Sequence, residues 1–174
     1  FPKHMIEGFI RGLKARRPAL FNLYSSCQPE HGIGDDMSSQ QAKLVVESRA
    51  YPLFRYDPDL GKTAAECFDL EGNPALDQEW PSYMLRYRDG TREKEMELPM
   101  TYADFAVTEA RFRKHFRIAP QDTWNESMVA LSEFLTLAPE ERDGKFPFVW
   151  SVDRKNQLSR LLVARSGSAS GPTD

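Results

Sequence analysis

The order of patterns in the first 56 residues constrains the fold more than any other feature of this chain. Residues 3–16 carry apolar side chains at helical spacing, which predicts an amphipathic helix. The apolar run ALFNLYSS follows, and its shortness and aromatic content predict a buried strand rather than a second helix. It ends on Cys27, directly before a loop rich in glycine.

A second helix and a second short strand follow this loop. Ser38 or Ser39 is predicted to cap a helix through QQAKLVVESRAY that ends before Pro52, and PLFRYDP predicts a strand. Alternation of helices and strands is typical of α/β folds with parallel strands, in which ligands bind beyond the carboxyl ends of the strands. The first segment is therefore predicted to be α/β, with the Cys27 loop at the ligand-binding edge.

The pattern changes from Asp57 onward. Glycine, proline and asparagine recur through residues 57–81, which predicts a long irregular connection. The next stretch alternates in polarity on both sides of Asp89-Gly90, a strong signal for a β-hairpin. Thr101 and Asp104 have the spacing of a capping box, which predicts the start of a helix.

That helix is predicted to continue to residue 116, and a further helix to span residues 125–135. The segments FPFVWSVD and QLSRLLVA predict two strands joined near Asn156. The second half is thus predicted to be α+β with antiparallel hairpins. The expected fold class is α/β, with the partial end of a parallel sheet followed by a small α+β segment.

Composition excludes several functional classes. The 174 residues are 40% hydrophobic and 28% charged with a net charge of −3, which is typical of a globular protein and provides no basic field for nucleic acid. No apolar stretch approaches the roughly 20 residues of a membrane-spanning helix, and residues 3–17 do not resemble a signal peptide. We expect no membrane partner, a cytoplasmic location and two reduced cysteines.

Cys27 is the strongest candidate for chemistry, and the residues alone leave several roles open. A lone cysteine is most often a small buried hydrophobe. His31 makes a Cys-x-x-x-His pair with it, but a zinc site needs about four ligands and no second such pair is present. A Cys–His nucleophilic pair also stays open. Gly32 and Gly34 indicate a turn or a close approach to a ligand, without forming a phosphate-binding motif.

Other polar and aromatic residues have simpler interpretations. Asp35 and Asp36 can bind a metal, but their position before a helix favours complementing its dipole. The basic residues within 111–117 are interpreted as a solvated helix face, with the interleaved phenylalanines in the core. Cys67 is predicted to be a buried thiol. Packing anchors are predicted at Trp80, Trp124 and Trp150.

The segments RPALFNLYSSCQPEHGI and QQAKLVVESRAYPLFRYDP closely resemble the end of the thiamine-diphosphate domain of pyruvate:ferredoxin (flavodoxin) oxidoreductases and related 2-oxoacid:acceptor oxidoreductases. The resemblance extends from about Ile6 to Pro58. Its most specific features are Tyr-x-x-Cys at the end of an apolar run, Ala-Lys-Leu-x-Val-Glu-Ser on a helix, and PLFRYDP. The later segments are similar to a C-terminal extension found in a large bacterial subgroup of these enzymes.

The resemblance implies a role for Cys27 as a ligand of the 4Fe-4S cluster nearest the thiamine diphosphate. These enzymes oxidatively decarboxylate a 2-oxoacid, commonly pyruvate, and transfer the acyl group to coenzyme A. Iron–sulfur clusters carry the electrons to ferredoxin or flavodoxin. The other three cysteine ligands, and the motifs that hold magnesium and the diphosphate, lie upstream in the family. No catalytic residue can be transferred to this chain.

These implications define the expected organisation. Residues 1–57 would be the end of the thiamine-diphosphate and iron–sulfur domain, residues 58–165 an α+β extension, and residues 166–174 a disordered tail or cloning remnant. We expect the isolated chain to be catalytically inert and to bind no cofactor alone. It should bury apolar surface against the remainder of the oxidoreductase or by self-association. The alternatives are a non-catalytic interaction or assembly module and a thiol enzyme that uses Cys27 and His31.

Overall fold

The computed structural model describes residues 1–74 and 78–164 and has a mixed α/β architecture. The described strands form an antiparallel pair β1-β2, an antiparallel hairpin β3-β4, and a mixed four-stranded sheet of order β5-β8-β7-β6. The first element, α1 (Pro2–Lys14), confirms the predicted amphipathic helix, although none of its residues is fully buried. No helix in these two ranges is long and apolar enough to cross a lipid bilayer.

The predicted buried strand after α1 is wrong. Residues 19–27 belong to no helix or strand, and Leu20 is 93% exposed and Leu23 60% exposed. A strand needs a neighbouring strand to satisfy its backbone hydrogen bonds, and no described residue supplies one to this segment. The predicted parallel sheet in the first half is therefore also absent from the described residues.

The Cys27 loop leads through a short helix α2 (Gln28–His31) and a 3₁₀ turn (Asp35–Met37) into α3 (Ser38–Glu47). The predicted helix is confirmed, but the predicted serine cap is wrong. Ser38 is already the first helical residue, and the capping position belongs to Met37, which makes no side-chain capping bond. The helix ends five residues before Pro52, where backbone amides of residues 48–51 bond to the last turn.

The predicted strand PLFRYDP is confirmed only over two residues. Strand β1 (Arg55–Tyr56) pairs antiparallel with β2 (Phe68–Asp69), which follows a 3₁₀ turn at Ala65–Cys67. Ion pairs attach this small sheet to α1, because Arg55 lies 3.0 Å from Glu7 and Asp69 lies 3.4 Å from Arg11. Most of the connection around these elements is turns and irregular backbone, as predicted.

The predicted hairpin is confirmed. Strands β3 (Ser82–Asp89) and β4 (Arg92–Pro99) pair antiparallel, with Asp89 opposite Arg92. Gly90 lies in the turn with a φ of +62°, a conformation that favours glycine. The side chains of β3 alternate between half-buried and exposed, which accounts for the period-two pattern in the sequence.

The capping box is confirmed, but the helix that it begins is much shorter than predicted. The Asp104 carboxylate accepts hydrogen bonds from the backbone N–H and the hydroxyl of Thr101. Helix α4 (Tyr102–Ala106) then ends, and a 3₁₀ turn follows at Ala110–His115. The Thr108 hydroxyl bonds to the Phe105 carbonyl at 2.7 Å, a local contact that competes with a continuing helix.

The mixed sheet contains β5 (Phe116–Ala119), β6 (Met128–Ala130), β7 (Phe146–Val152) and β8 (Leu158–Val163). The last two confirm the predicted strand pair. The β6-β7 pairing is parallel, so the expected antiparallel arrangement of this half is only partly correct.

The predicted helix at 125–135 is wrong in its first part, because β6 precedes α5 (Leu131–Thr136). Short 3₁₀ turns occur at Gln121–Thr123 and Pro139–Arg142.

The main buried cluster joins the two halves of the chain. Val45 and Val46 of α3 pack with Phe105 of α4, and each is at most 4% exposed. Half-buried Tyr24 and Phe112 pack against this cluster from the Cys27 segment and from the 3₁₀ turn after α4. The proposed boundary at residue 57 stays a prediction, and the proposed tail at 166–174 lies outside the described residues.

Candidate functional site

Cys27 lies at the junction between the exposed extended segment and α2. It occupies the N-cap position of α2, and its thiol is free and exposed. The interpretation of Cys27 as a small buried hydrophobe is therefore wrong. Its side chain makes no hydrogen bond within residues 1–74 and 78–164, so the thiol is available to a group from outside the described chain.

His31 anchors the other end of the α2 turn. Its ring is buried, and Nδ1 lies 2.6 Å from the Glu109 carboxylate. A carboxylate that binds Nδ1–H fixes the imidazole tautomer and ring orientation. The His31 backbone N–H also donates to the Cys27 carbonyl oxygen at 2.9 Å. The histidine is thus a fixed part of the Cys27 turn, and its ring is bound to a residue 78 positions away.

Glu109 is fully buried and is the centre of a polar cluster formed by Tyr24, His31, Gln41, Glu109 and Arg111, which we call the Glu109 cluster. Its Oε2 lies 2.6 Å from His31 Nδ1 and 3.1 Å from Arg111 Nε. Its Oε1 accepts from Gln41 Nε2 at 2.8 Å and from the Tyr24 hydroxyl at 3.4 Å. Each carboxylate oxygen therefore has two donors, which offsets the cost of burying the group.

The donors in the Glu109 cluster are themselves held by their surroundings. Gln41 Nε2 also donates to the Thr108 hydroxyl at 2.9 Å, so both of its amide protons have acceptors. Burial, followed by the nearby negative charge of Glu109, raises the pKa of Tyr24. Tyr24 therefore remains a neutral donor at physiological pH.

Gly32 brings the loop into direct contact with the residue after Glu109. It ends α2 with a φ of +67°, and its backbone N–H donates to the Gln28 carbonyl at 2.8 Å. A Cβ added at Gly32 would lie 2.7 Å from the Ala110 Cβ. Both the left-handed backbone and the close approach therefore require glycine, as the sequence pattern indicated for this loop.

The remaining predicted residues lie outside this site or have structural roles. Cys67 is 4% exposed, and its thiol approaches the Gly61 carbonyl at 3.6 Å, so the predicted buried thiol is confirmed. Asp35 and Asp36 begin the 3₁₀ turn before α3, and their role at the helix dipole stays a prediction.

The aromatic packing predictions are confirmed. Trp124 and Trp150 pack edge to face with ring centres 5.8 Å apart, and the Arg160 guanidinium lies over both rings. Arg49 stacks on half-buried Trp80 at 4.2 Å. The basic residues at 111–117 are exposed, as predicted for a solvated face, but Arg111 also bonds to buried Glu109. They lie in a 3₁₀ turn and a strand rather than on an α-helix.

The described residues do not hold a metal by themselves. No group of three or more His, Cys, Asp or Glu side chains has the arrangement of a metal site in residues 1–74 and 78–164. A zinc site on Cys27 and His31 has no support, because Nδ1 is bound to Glu109 and further ligands are absent from the described part of the chain.

Sequence patterns did not identify Glu109 and Gln41. Glu109 follows Phe105 by four positions and precedes Phe112 by three, so a carboxylate lies within the predicted apolar stripe. A glutamate within an apolar stripe was the one sequence signal of a buried polar cluster, because a buried carboxylate needs hydrogen-bond donors from elsewhere in the chain. No protein-family model, curated protein or solved structure matches this chain.

Proposed function

We propose that this chain forms the C-terminal part of a 2-oxoacid:ferredoxin or flavodoxin oxidoreductase, with pyruvate as the first substrate to test. In this proposal Cys27 is one thiolate ligand of a 4Fe-4S cluster whose other ligands lie elsewhere in the enzyme. The single observation that supports it is the exposed Cys27 thiol at the end of an apolar extended segment. The backbone turn that carries this thiol is bound to the buried Glu109 cluster through His31.

The requirements of a cluster ligand support this assignment. A cluster needs thiolates in fixed positions, because hydrogen bonding and solvent exposure around the sulfurs set its reduction potential. The Cys27 carbonyl bonds to His31, and the His31 ring is bound to buried Glu109, so the backbone that carries the thiol is anchored. The thiol is exposed and free, so it remains open to an external iron atom.

The exposed apolar residues favour burial against another part of the same enzyme. Leu13 is 79% exposed at the end of α1, and Leu20 and Leu23 are exposed on the following extended segment. Several large apolar side chains exposed along one stretch of chain favour a surface that contacts protein. We propose that the remainder of the oxidoreductase covers them, and that thiamine diphosphate, magnesium, coenzyme A and the 2-oxoacid bind there.

Cysteine substitution in the full-length protein tests the proposal. Iron, acid-labile sulfide and the visible spectrum are measured on anaerobically purified protein, unmodified and with Cys27→Ser. Cys67→Ser is the matched control, because that thiol is buried and bonded within its own loop. We expect Cys27→Ser to lose about one cluster and its 2-oxoacid-dependent reduction of ferredoxin, whereas Cys67→Ser keeps both. Full iron content and activity in Cys27→Ser would refute the assignment.

A second candidate function is a non-catalytic assembly module, which the same exposed apolar surface favours. In that case the purified chain associates with itself or with another protein through α1 and residues 19–26. Light scattering over a range of concentrations tests this, with Leu20→Ser and Leu23→Ser as variants of the exposed surface. A cluster that depends on Cys27 in the full-length protein would decide against this candidate as the whole function.

A further inference from the structure

We propose that Glu109 is a positioning residue for Cys27: the α+β segment uses this buried carboxylate to hold the cysteine turn in one place. The inference rests on the proposed function, in which Cys27 is a cluster ligand. It assigns a positioning role to the segment after residue 57, because Glu109, which binds the Cys27 turn through His31, belongs to that segment.

The connection from Glu109 to Cys27 has two short steps. Glu109 Oε2 lies 2.6 Å from His31 Nδ1, and the His31 backbone N–H donates to the Cys27 carbonyl oxygen at 2.9 Å. His31 is the last residue of α2 and Cys27 is its N-cap, so the histidine closes the turn that begins at the cysteine. The contact between the His31 ring and Glu109 therefore restrains the backbone turn that carries the thiol.

Glu109 is itself held by backbone contacts at the junction between α4 and the 3₁₀ turn. Its N–H donates to the Ala106 carbonyl at 3.1 Å, and its own carbonyl accepts from Phe112 N–H at 3.0 Å. Phe105, one position before Ala106, is part of the main core cluster. The Glu109 carboxylate thus extends from backbone that is packed against the core, so it can restrain the position of the Cys27 loop.

Two further contacts dock the same loop region on the same segment. Gly32 approaches Ala110 so closely that an added Cβ would lie 2.7 Å from the Ala110 Cβ. Gln41, on α3, bonds to both Thr108 and Glu109. Residues 108–110 therefore contact the chain on both sides of the loop, which restricts its translation as well as its rotation.

Positioning of this kind has a measurable consequence for a cluster ligand. Groups that orient metal ligands typically change metal affinity or activity by about 10- to 100-fold when they are removed. Iron release from the cluster should depend on whether the turn is held, whereas global stability reports only on the core. A residue with a purely structural role would alter unfolding without a specific change in the cluster.

The variants separate positioning from general destabilisation. Glu109→Gln keeps the shape of the side chain but leaves one acceptor oxygen facing four donors. His31→Leu removes the donor to Glu109, whereas His31→Asn keeps an amide N–H near the position of Nδ1. Glu140→Gln is the control, because Glu140 is exposed and has the same chemistry. Cys27→Ser is included in the series to test the ligand assignment itself.

The readouts are made on the anaerobically purified full-length protein. Iron release to a ferrous chelator is followed over time, and the reduced clusters are compared by electron paramagnetic resonance. We expect Glu109→Gln and His31→Leu to release the iron of one cluster about 10 to 100 times faster and to change its spectrum. His31→Asn and Glu140→Gln should resemble the unmodified protein.

The outcomes distinguish the two proposals. If Cys27→Ser loses a cluster but Glu109→Gln and His31→Leu release iron as slowly as Glu140→Gln, the positioning role is refuted and the proposed function stands. If Cys27→Ser keeps all its iron, the ligand assignment fails and the inference fails with it. If Glu109→Gln does not fold, the His31 pair decides, and equal iron release from His31→Leu and His31→Asn overturns the inference.

Discussion

Substitution of Gly32 by alanine tests whether the Cys27 loop is docked as described. Gly32 has a φ of +67°, and an alanine in the left-handed region costs about 1–2 kcal/mol. The added Cβ would also lie 2.7 Å from the Ala110 Cβ, and overpacking of this kind costs about 1–3 kcal/mol. We therefore expect Gly32→Ala to lower the free energy of unfolding by about 2–5 kcal/mol.

Gly90→Ala is a matched control for the backbone contribution. Gly90 has a φ of +62°, but no heavy atom of the described residues beyond its chain neighbours lies within 4 Å of an added Cβ. Its substitution should therefore cost only about 1–2 kcal/mol. The difference between the two variants, about 1–3 kcal/mol, measures the close contact between Gly32 and Ala110.

Urea unfolding of the purified chain, followed by circular dichroism, gives the required free energies. The double variant Gly32→Ala with Ala110→Gly removes the opposing methyl group, so it should recover most of the difference in a double-mutant cycle. Equal destabilisation by Gly32→Ala and Gly90→Ala, with no coupling to Ala110→Gly, would show that the loop is not docked on the 3₁₀ turn.

Three further predictions concern the core and the second half. Phe105→Ala should lower the free energy of unfolding by about 3–5 kcal/mol in urea titrations, because Phe105 is 3% exposed, and a cost below about 1 kcal/mol would contradict this packing. Thr101→Ala should cost about 0.5–2 kcal/mol in the same assay through loss of the capping box, and no loss would argue against it. Burial, followed by the Asp104 carboxylate, raises the pKa of Tyr83 far above its usual range. Unfolding releases its proton above about pH 10, so stability should fall as pH rises there. Tyr83→Phe should make this fall less steep in unfolding measurements from pH 8 to 11, and parallel curves would contradict the assignment.

Elements specified by neighbouring residues were predictable from the sequence. The hairpin at Asp89-Gly90, the capping box at Thr101 and the β7-β8 pair all depend on contacts between residues close in the chain. Their turn and capping residues carry the signal directly. The predicted helix after Thr101 was too long because helical spacing continues past residue 106, whereas the Thr108 hydroxyl bonds back to Phe105.

The candidate site was only half predictable for a similar reason. Cys27 and its glycine-rich loop are visible as a local pattern in the sequence. The contact that fixes the loop joins residues 78 positions apart, and one sequence provides no periodicity for such a pair. In the sequence, this contact is indicated only by a glutamate within an apolar stripe. The folded structure identifies the donors that bond to the buried Glu109 carboxylate.

The extended segment before Cys27 illustrates why a strand cannot be predicted from one segment alone. Residues 19–26 have the apolar composition of a buried strand, yet Leu20 and Leu23 are exposed, and no backbone hydrogen bond joins the segment to another described element. Strand formation requires a partner that satisfies the backbone N–H and C=O groups. The apolar pattern of residues 19–26 therefore predicts burial only where a neighbouring strand is present, and the described residues provide none. Within the described chain, the turn that follows Cys27 is held instead by the Glu109 cluster, through the contact between His31 and Glu109.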